Sequence, residues 1–100
     1  MIPKQYPQMA EYIILKHVVL GSKHVATGQT RHYLGTEILP LPSELSIAQY
    51  PGDSGFYLLY FDSSGKELTD TYHDSVENAM AQADFEFQVK PSDWQDVTVL

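Results

Sequence analysis

Residues 12–20 are apolar except for Lys16 and His17, with Ile13, Leu15, His17 and Val19 on one face of an extended segment and Tyr12, Ile14, Lys16 and Val18 on the other. The β-branched and aromatic content of this stretch predicts a strand. Residues 21–30, which include Gly21, Lys23, His24 and Gly28, have no period and read as a loop. Residues 31–38 predict a short strand, Pro40 and Pro42 interrupt pairing after it, and residues 45–50 fit either a further strand or a short helical turn. Turn residues crowd Pro51-Gly52-Asp53-Ser54-Gly55, and the run Phe56-Tyr57-Leu58-Leu59-Tyr60-Phe61 that follows is apolar on both faces, as a central strand covered on both sides would be. Residues 62–66 predict a hairpin with Gly65 in a left-handed position. Residues 67–73 return from it, with Leu68, Asp70 and Tyr72 on one face and Thr69, Thr71 and His73 on the other.

The spacing then changes to that of a helix. Asp74 with Glu77 resembles a capping box, and Val76, Met80, Ala83 and Phe87 fall on one stripe bordered by Ala79, which predicts a helix over residues 74–89 with that stripe on the sheet. Pro91 stops it, Ser92-Asp93-Trp94 suggests one more turn with Trp94 as a satellite of the core, and residues 97–100 suggest a last edge strand. Residues 1–10, with Pro3 and Pro7, predict a loosely held arm. The expected architecture is α+β: an antiparallel sheet of four or five strands with one main helix on one face.

One hundred residues suffice for a single domain, and twelve aromatics are too many for a disordered chain. With no cysteine, disulfides, thiolate metal sites and thiol nucleophiles are excluded. The N-terminal residues carry no apolar signal core, and no apolar run approaches the roughly 20 residues of a membrane helix. The expected location is the cytoplasm, without membrane attachment.

Charge changes the picture more than composition does. Residues 1–50 hold four basic and three acidic side chains, whereas residues 51–100 hold two basic and ten acidic ones. A net charge of −7 disfavours direct contact with a nucleic-acid backbone and favours a basic protein partner. A solvated face that confers solubility accounts for the same imbalance. Phe85 lies half a turn from the predicted core stripe and so points outward beside Asp84, a combination expected at the centre of an interface. Burial of Phe85 under the N-terminal arm or the Trp94 segment is the alternative.

Catalytic signals are weak. Asp70 and His73 occur together but on opposite strand faces, and no second half of an acid-base constellation accompanies them. His17, His24, His32 and His73 show no metal-binding spacing, although His24 and His32 flank one loop. Gly52-Asp53-Ser54-Gly55 matches neither a nucleophile elbow nor a phosphate loop. Tyr57, Tyr60 and Tyr72 offer a wall for a small ligand; base stacking on tyrosines normally needs a basic groove, which an acidic chain does not supply.

Taken together, Ala48-Gln49-Tyr50-Pro51-Gly52-Asp53, Gly55 to Tyr60, Thr69-Asp70-Thr71-Tyr72-His73, Ala79, Gln82-Ala83, Phe85-Glu86-Phe87 and Trp94 resemble a group of small acidic bacterial proteins. These are in turn similar to immunity proteins of bacterial toxin systems, which bind a cognate toxin and block its active site or docking surface. The resemblance covers about half the chain and implies no catalytic residues, cofactor or metal. The expected function is non-enzymatic binding of a basic protein through Asp70, Asp74, Glu77, Asp84 and Phe85, with toxin neutralisation as the specific role. A small-ligand or regulatory module, a hydrolase built on Asp70 and His73, and a phage-borne nucleic-acid mimic aimed at a defence enzyme are the alternatives.

Overall fold

The computed structural model describes residues 12–97, so the expected arm at residues 1–10 and the end of the expected last strand at 98–100 lie outside the described residues. The elements are β1 (Ile13–Val19), β2 (Tyr33–Leu34), β3 (Glu37–Ile38), β4 (Glu44–Gln49), β5 (Phe56–Phe61), β6 (Glu67–His73), α1 (Val76–Phe87), a 3-10 turn at Pro91–Asp93, and β7 (Gln95–Asp96). Five strands form an antiparallel sheet in the order β6-β5-β4-β1-β7, and α1 packs on it against β5 and β6. The fold is therefore α+β with one main helix, as the patterning predicts.

The interior strands are the most apolar ones. Leu45 and Ile47 of β4 and Leu58 and Tyr60 of β5 are buried on the helix side, where they meet Ala79, Ala83 and Phe87 of α1. The two alanines let the helix axis approach the sheet closely. Burying side chains of this size contributes roughly 1.5–3 kcal/mol each before the entropy of ordering is charged against it. Val18, Val89 and Trp94 extend the core toward β7, and the indole nitrogen of Trp94 is buried there with no hydrogen-bond partner among the described residues.

Two irregularities set which residues face α1. In β1 the register shifts between Ile14 and Lys16, since Ile14 pairs with Ala48 and Lys16 with Ile47, leaving Leu15 as an extra residue. Ile14 thus joins His17 and Val19 on the face away from the helix, whereas strict alternation groups it with Lys16 and Val18. In β6, Thr69 pairs with Tyr60 and Glu67 with Phe61, so Leu68 is the extra residue. This bulge turns Leu68 toward the core while Asp70 and Tyr72 stay on the open face, which separates a leucine from an aspartate that strict alternation puts together.

Other local expectations are corrected. Residues 31–38 form a two-strand hairpin around Gly35 at φ +65°, and residues 44–49 form an interior strand with no helical turn. The helix is shorter than residues 74–89: Ser75, not Asp74, is its N-cap, its hydroxyl accepting from the Asn78 amide at 3.0 Å, and Gln88 ends it in a left-handed conformation. Asn78 therefore occupies the place that a Glu77 capping box needs. The last strand falls at Gln95–Asp96 and pairs with β1. In the β5–β6 hairpin, by contrast, Gly65 has φ +87° as expected, and the Asp62 carboxylate accepts from the Ser64 and Lys66 amides at 2.9 and 3.0 Å.

Phe85 and Phe87 give a test of this packing, being 51% and 5% exposed. Phe87→Ala should cost about 3–5 kcal/mol in urea unfolding, and Phe85→Ala no more than about 1 kcal/mol.

Candidate functional site

Helical geometry at 100° per residue places Glu77, Ala81 and Asp84 along one flank of α1 and Phe85 at its outer crest. The flank borders a groove of about 520 Å³, whose floor is Val76, Met80, Val89 and Pro91 and whose far wall carries Lys16 of β1. Asp84 pairs with Lys90 at 2.8 Å and Lys16 with Asp96 at 2.5 Å. Glu77 is exposed and makes no ion pair among the described residues. Phe85 stands half-exposed, and the Asp84 to Lys90 pair lies beside it in sequence.

The five expected contact residues do not form one patch. Glu77, Asp84 and Phe85 share α1, and Asp74 is exposed in the turn leading into it. Asp70 pairs with Leu59 in the β5–β6 register, between residues whose partners face the helix, and so lies on the opposite side of the sheet. A similar split divides the tyrosines expected to share a wall. Tyr57 and Tyr72 are directly paired on the open face, whereas Tyr60 is 1% exposed beneath α1.

Two buried carboxylates were not among the expected site residues. Glu86 is 3% exposed and accepts from the Tyr60 hydroxyl, from Gln82 Nε2 at 2.7 Å and from His32 Nε2 at 3.0 Å. Burial first, and then this hydrogen bond, push the Tyr60 phenol far above its ordinary range. The cavity beside Glu86, His32 and Tyr60 has a volume of about 40 Å³, room for little more than water. The helical wheel carried a signal for this position, since Glu86 lies only 20° from the core-bordering Ala79. Nothing local identifies its donors, which come from β5, α1 and the loop after β1.

Asp93 is the second. Its side chain is 5% exposed and accepts from Lys23 Nζ at 2.5 Å, the Lys90 amide at 2.9 Å and His24 Nε2 at 3.0 Å. The Lys23 hydrogen bond, the Lys90 amide and His24, in that order, hold its carboxyl well below the usual range. The Gly21 amide donates to His24 Nδ1 at 2.9 Å, so the ring proton is on Nε2 and both nitrogens are engaged. His24 and His32 thus bind separate carboxylates and do not meet across their loop.

His73 contacts Thr71 at 2.7 Å and is separated by the sheet from Asp70, the opposite-face placement that the strand pattern predicts. Among the described residues, no group of three or more His, Asp or Glu is placed to hold a metal ion, and no helix is long and apolar enough to cross a membrane.

Burial lowers the His73 pKa below its ordinary value near 6.5, with Glu86 and Asp74 opposing. Between the folded and unfolded pKa values the unfolded chain binds more protons, so stability rises with pH through the window below 6.5 and levels off above it. Urea midpoints measured from pH 5 to 7.5 should show this slope, and His73→Gln should flatten it. Glu86→Ala leaves buried donors without an acceptor and should cost about 3 kcal/mol or more, and Glu86→Gln distinctly less, by the same measurement. No protein-family model, no curated protein and no solved structure matches this chain.

Proposed function

We propose that this chain is a non-enzymatic bacterial binding domain that acts in the cytoplasm and takes a basic protein as its partner, with neutralisation of a cognate toxin as its specific role. The observation that carries the proposal is the half-exposed Phe85 on the crest of α1, next to Asp84 and on the same helix as Glu77. An aromatic of this size has apolar area to bury, and Glu77 on the same helix, which makes no ion pair among the described residues, favours a cationic surface to bury it against, while Asp84 is shared with Lys90. The carboxylates would mainly raise the association rate, and Phe85, once desolvated, would mainly slow dissociation. The buried carboxylates favour a binding role over hydrolysis, because Glu86 and Asp93 spend their acceptor capacity on the fold. Direct nucleic-acid binding is disfavoured by the net charge of −7.

The test is affinity capture from the source cells with wild type beside Glu77→Lys/Asp84→Lys, followed by purification of the captured protein. The expected outcome is a basic protein held by wild type alone, whose own activity wild type blocks, with an association rate that falls as salt is raised. Phe85→Ala should then dissociate about tenfold faster or more. Equal capture by wild type and the double variant, or a captured protein whose activity is unaffected, overturns the proposal.

A further inference from the structure

The sheet order leaves one long strand with no neighbour on its outer side among the described residues. β6 carries seven residues at one end of the order. At the other end β7 pairs with Lys16 and His17, and the Val97 amide continues along β1 by donating to the Leu15 carbonyl at 3.0 Å. In an antiparallel strand the N–H and C=O of one residue turn to the same side, and the side alternates along the chain. The Phe61 carbonyl accepts from the Ser43 amide at 2.8 Å, so Phe61 turns toward β4, while the Asp62 amide donates to the Lys66 carbonyl at 2.9 Å and turns the other way. Phe56, Leu58 and Tyr60 share the phase of Asp62 and so face their partners His73, Thr71 and Thr69 in β6. The main-chain groups of Asp70 and Tyr72 are therefore turned outward, and among the described residues no other strand or loop backbone bonds to them.

An unpaired edge is a template for a further strand, and folded proteins blunt such edges with lysine, proline, a bulge or a cover. β6 has neither lysine nor proline, and its bulge at Leu68 leaves residues 69–73 in regular register. Asp70 is exposed on this stretch and Asp74 is exposed in the turn that follows it, and neither makes an ion pair among the described residues. Burial lowers the His73 pKa, so the ring supplies no charge at neutral pH to offset them. A second copy of this chain is a poor occupant. Symmetric pairing centred on Asp70 sets two carboxylates directly opposite each other, and every register joins two chains of net charge −7. A cationic strand meets both the main-chain and the charge requirement.

We propose that the outer edge of β6 takes an extended basic segment of a partner protein as an added strand, bonded through the main chain of Asp70 and Tyr72 and held in register by a lysine or arginine beside Asp70. Main-chain bonds supply the affinity in this mode of recognition, and alternate side chains supply the selection. Every second residue of the added strand falls on the Asp70 side of the sheet, so an alternating cationic pattern fits it. A nucleic-acid strand fits worse, because it cannot extend the main-chain ladder and Asp70 and Asp74 oppose its phosphates. The edge uses no residue of α1, and the inference does not rest on the role given to Phe85.

The test is titration of the ¹⁵N-labelled protein with acetyl-Lys-Thr-Lys-Val-Lys amide and, separately, acetyl-Glu-Thr-Glu-Val-Glu amide, followed by amide shifts and hydrogen exchange. The basic peptide should give saturable shifts along residues 69–73 and slow exchange of the Asp70 and Tyr72 amides by about fivefold or more, with less change at Thr69 and Thr71, whose amides already face β5. Asp70→Asn should weaken the basic peptide by about threefold or more, and Asp70→Lys should transfer the preference to the acidic peptide. Shifts without slower exchange at Asp70 and Tyr72, a preference unchanged by Asp70→Lys, or no saturable shift at millimolar peptide overturns the proposal. Protection of these two amides that grows with protein concentration in the absence of peptide assigns the edge to a second copy and overturns it as well.

Discussion

A carboxylate taken out of water costs several kcal/mol unless donors replace the lost hydration, and Glu86 is taken out of water where α1 meets the sheet. Its donors come from three places: Tyr60 in β5, Gln82 one turn back in the helix, and His32 in the long connection between β1 and β4. The main-chain carbonyl of Glu86 also accepts from the Thr27 amide at 2.8 Å, and Thr27 Oγ1 donates to the Phe85 carbonyl at 2.7 Å. One residue therefore fixes the helix on the sheet and fastens a connection that has almost no regular structure of its own. Asp93 does the equivalent work at the other end, joining Lys23 and His24 to the segment after α1.

This internal use of acids alters the meaning of the charge imbalance. Ten of the thirteen acidic residues lie in the second half of the chain, yet Glu86 and Asp93 are buried in the fold, Asp62 closes a hairpin, and Asp84 and Asp96 are paired with lysines. The exposed acids that make no ion pair among the described residues include Glu77 and Asp70, on opposite faces of the sheet. Glu77 stands by the α1 groove beneath the Phe85 crest, and Asp70 stands on the outer strand β6.

Local patterning determined a good deal. The strand at 56–61 is apolar on both faces and becomes an interior strand because no solvent-exposed position can hold such a run. The Val76, Met80, Ala83 and Phe87 stripe and the outward Phe85 follow from helical periodicity alone. Gly65 takes the left-handed turn position that the hairpin requires. These features depend on neighbours within a few residues, whose geometry the backbone fixes.

Tertiary structure decided what depends on pairing between distant segments. The bulges at Leu15 and Leu68 reassign strand faces, and each becomes necessary only when β4 and β5 impose their own register. The choice of Ser75 over Asp74 as the helix cap depends on where β6 ends. Which carboxylate His24 and His32 each receive, and the contacts among Tyr12, Tyr50, Tyr57 and Tyr72, follow from how distant segments are brought together. Side-chain period along a strand is two, so a single inserted residue moves a side chain from one face to the other, and only the paired neighbour strand determines where that insertion falls.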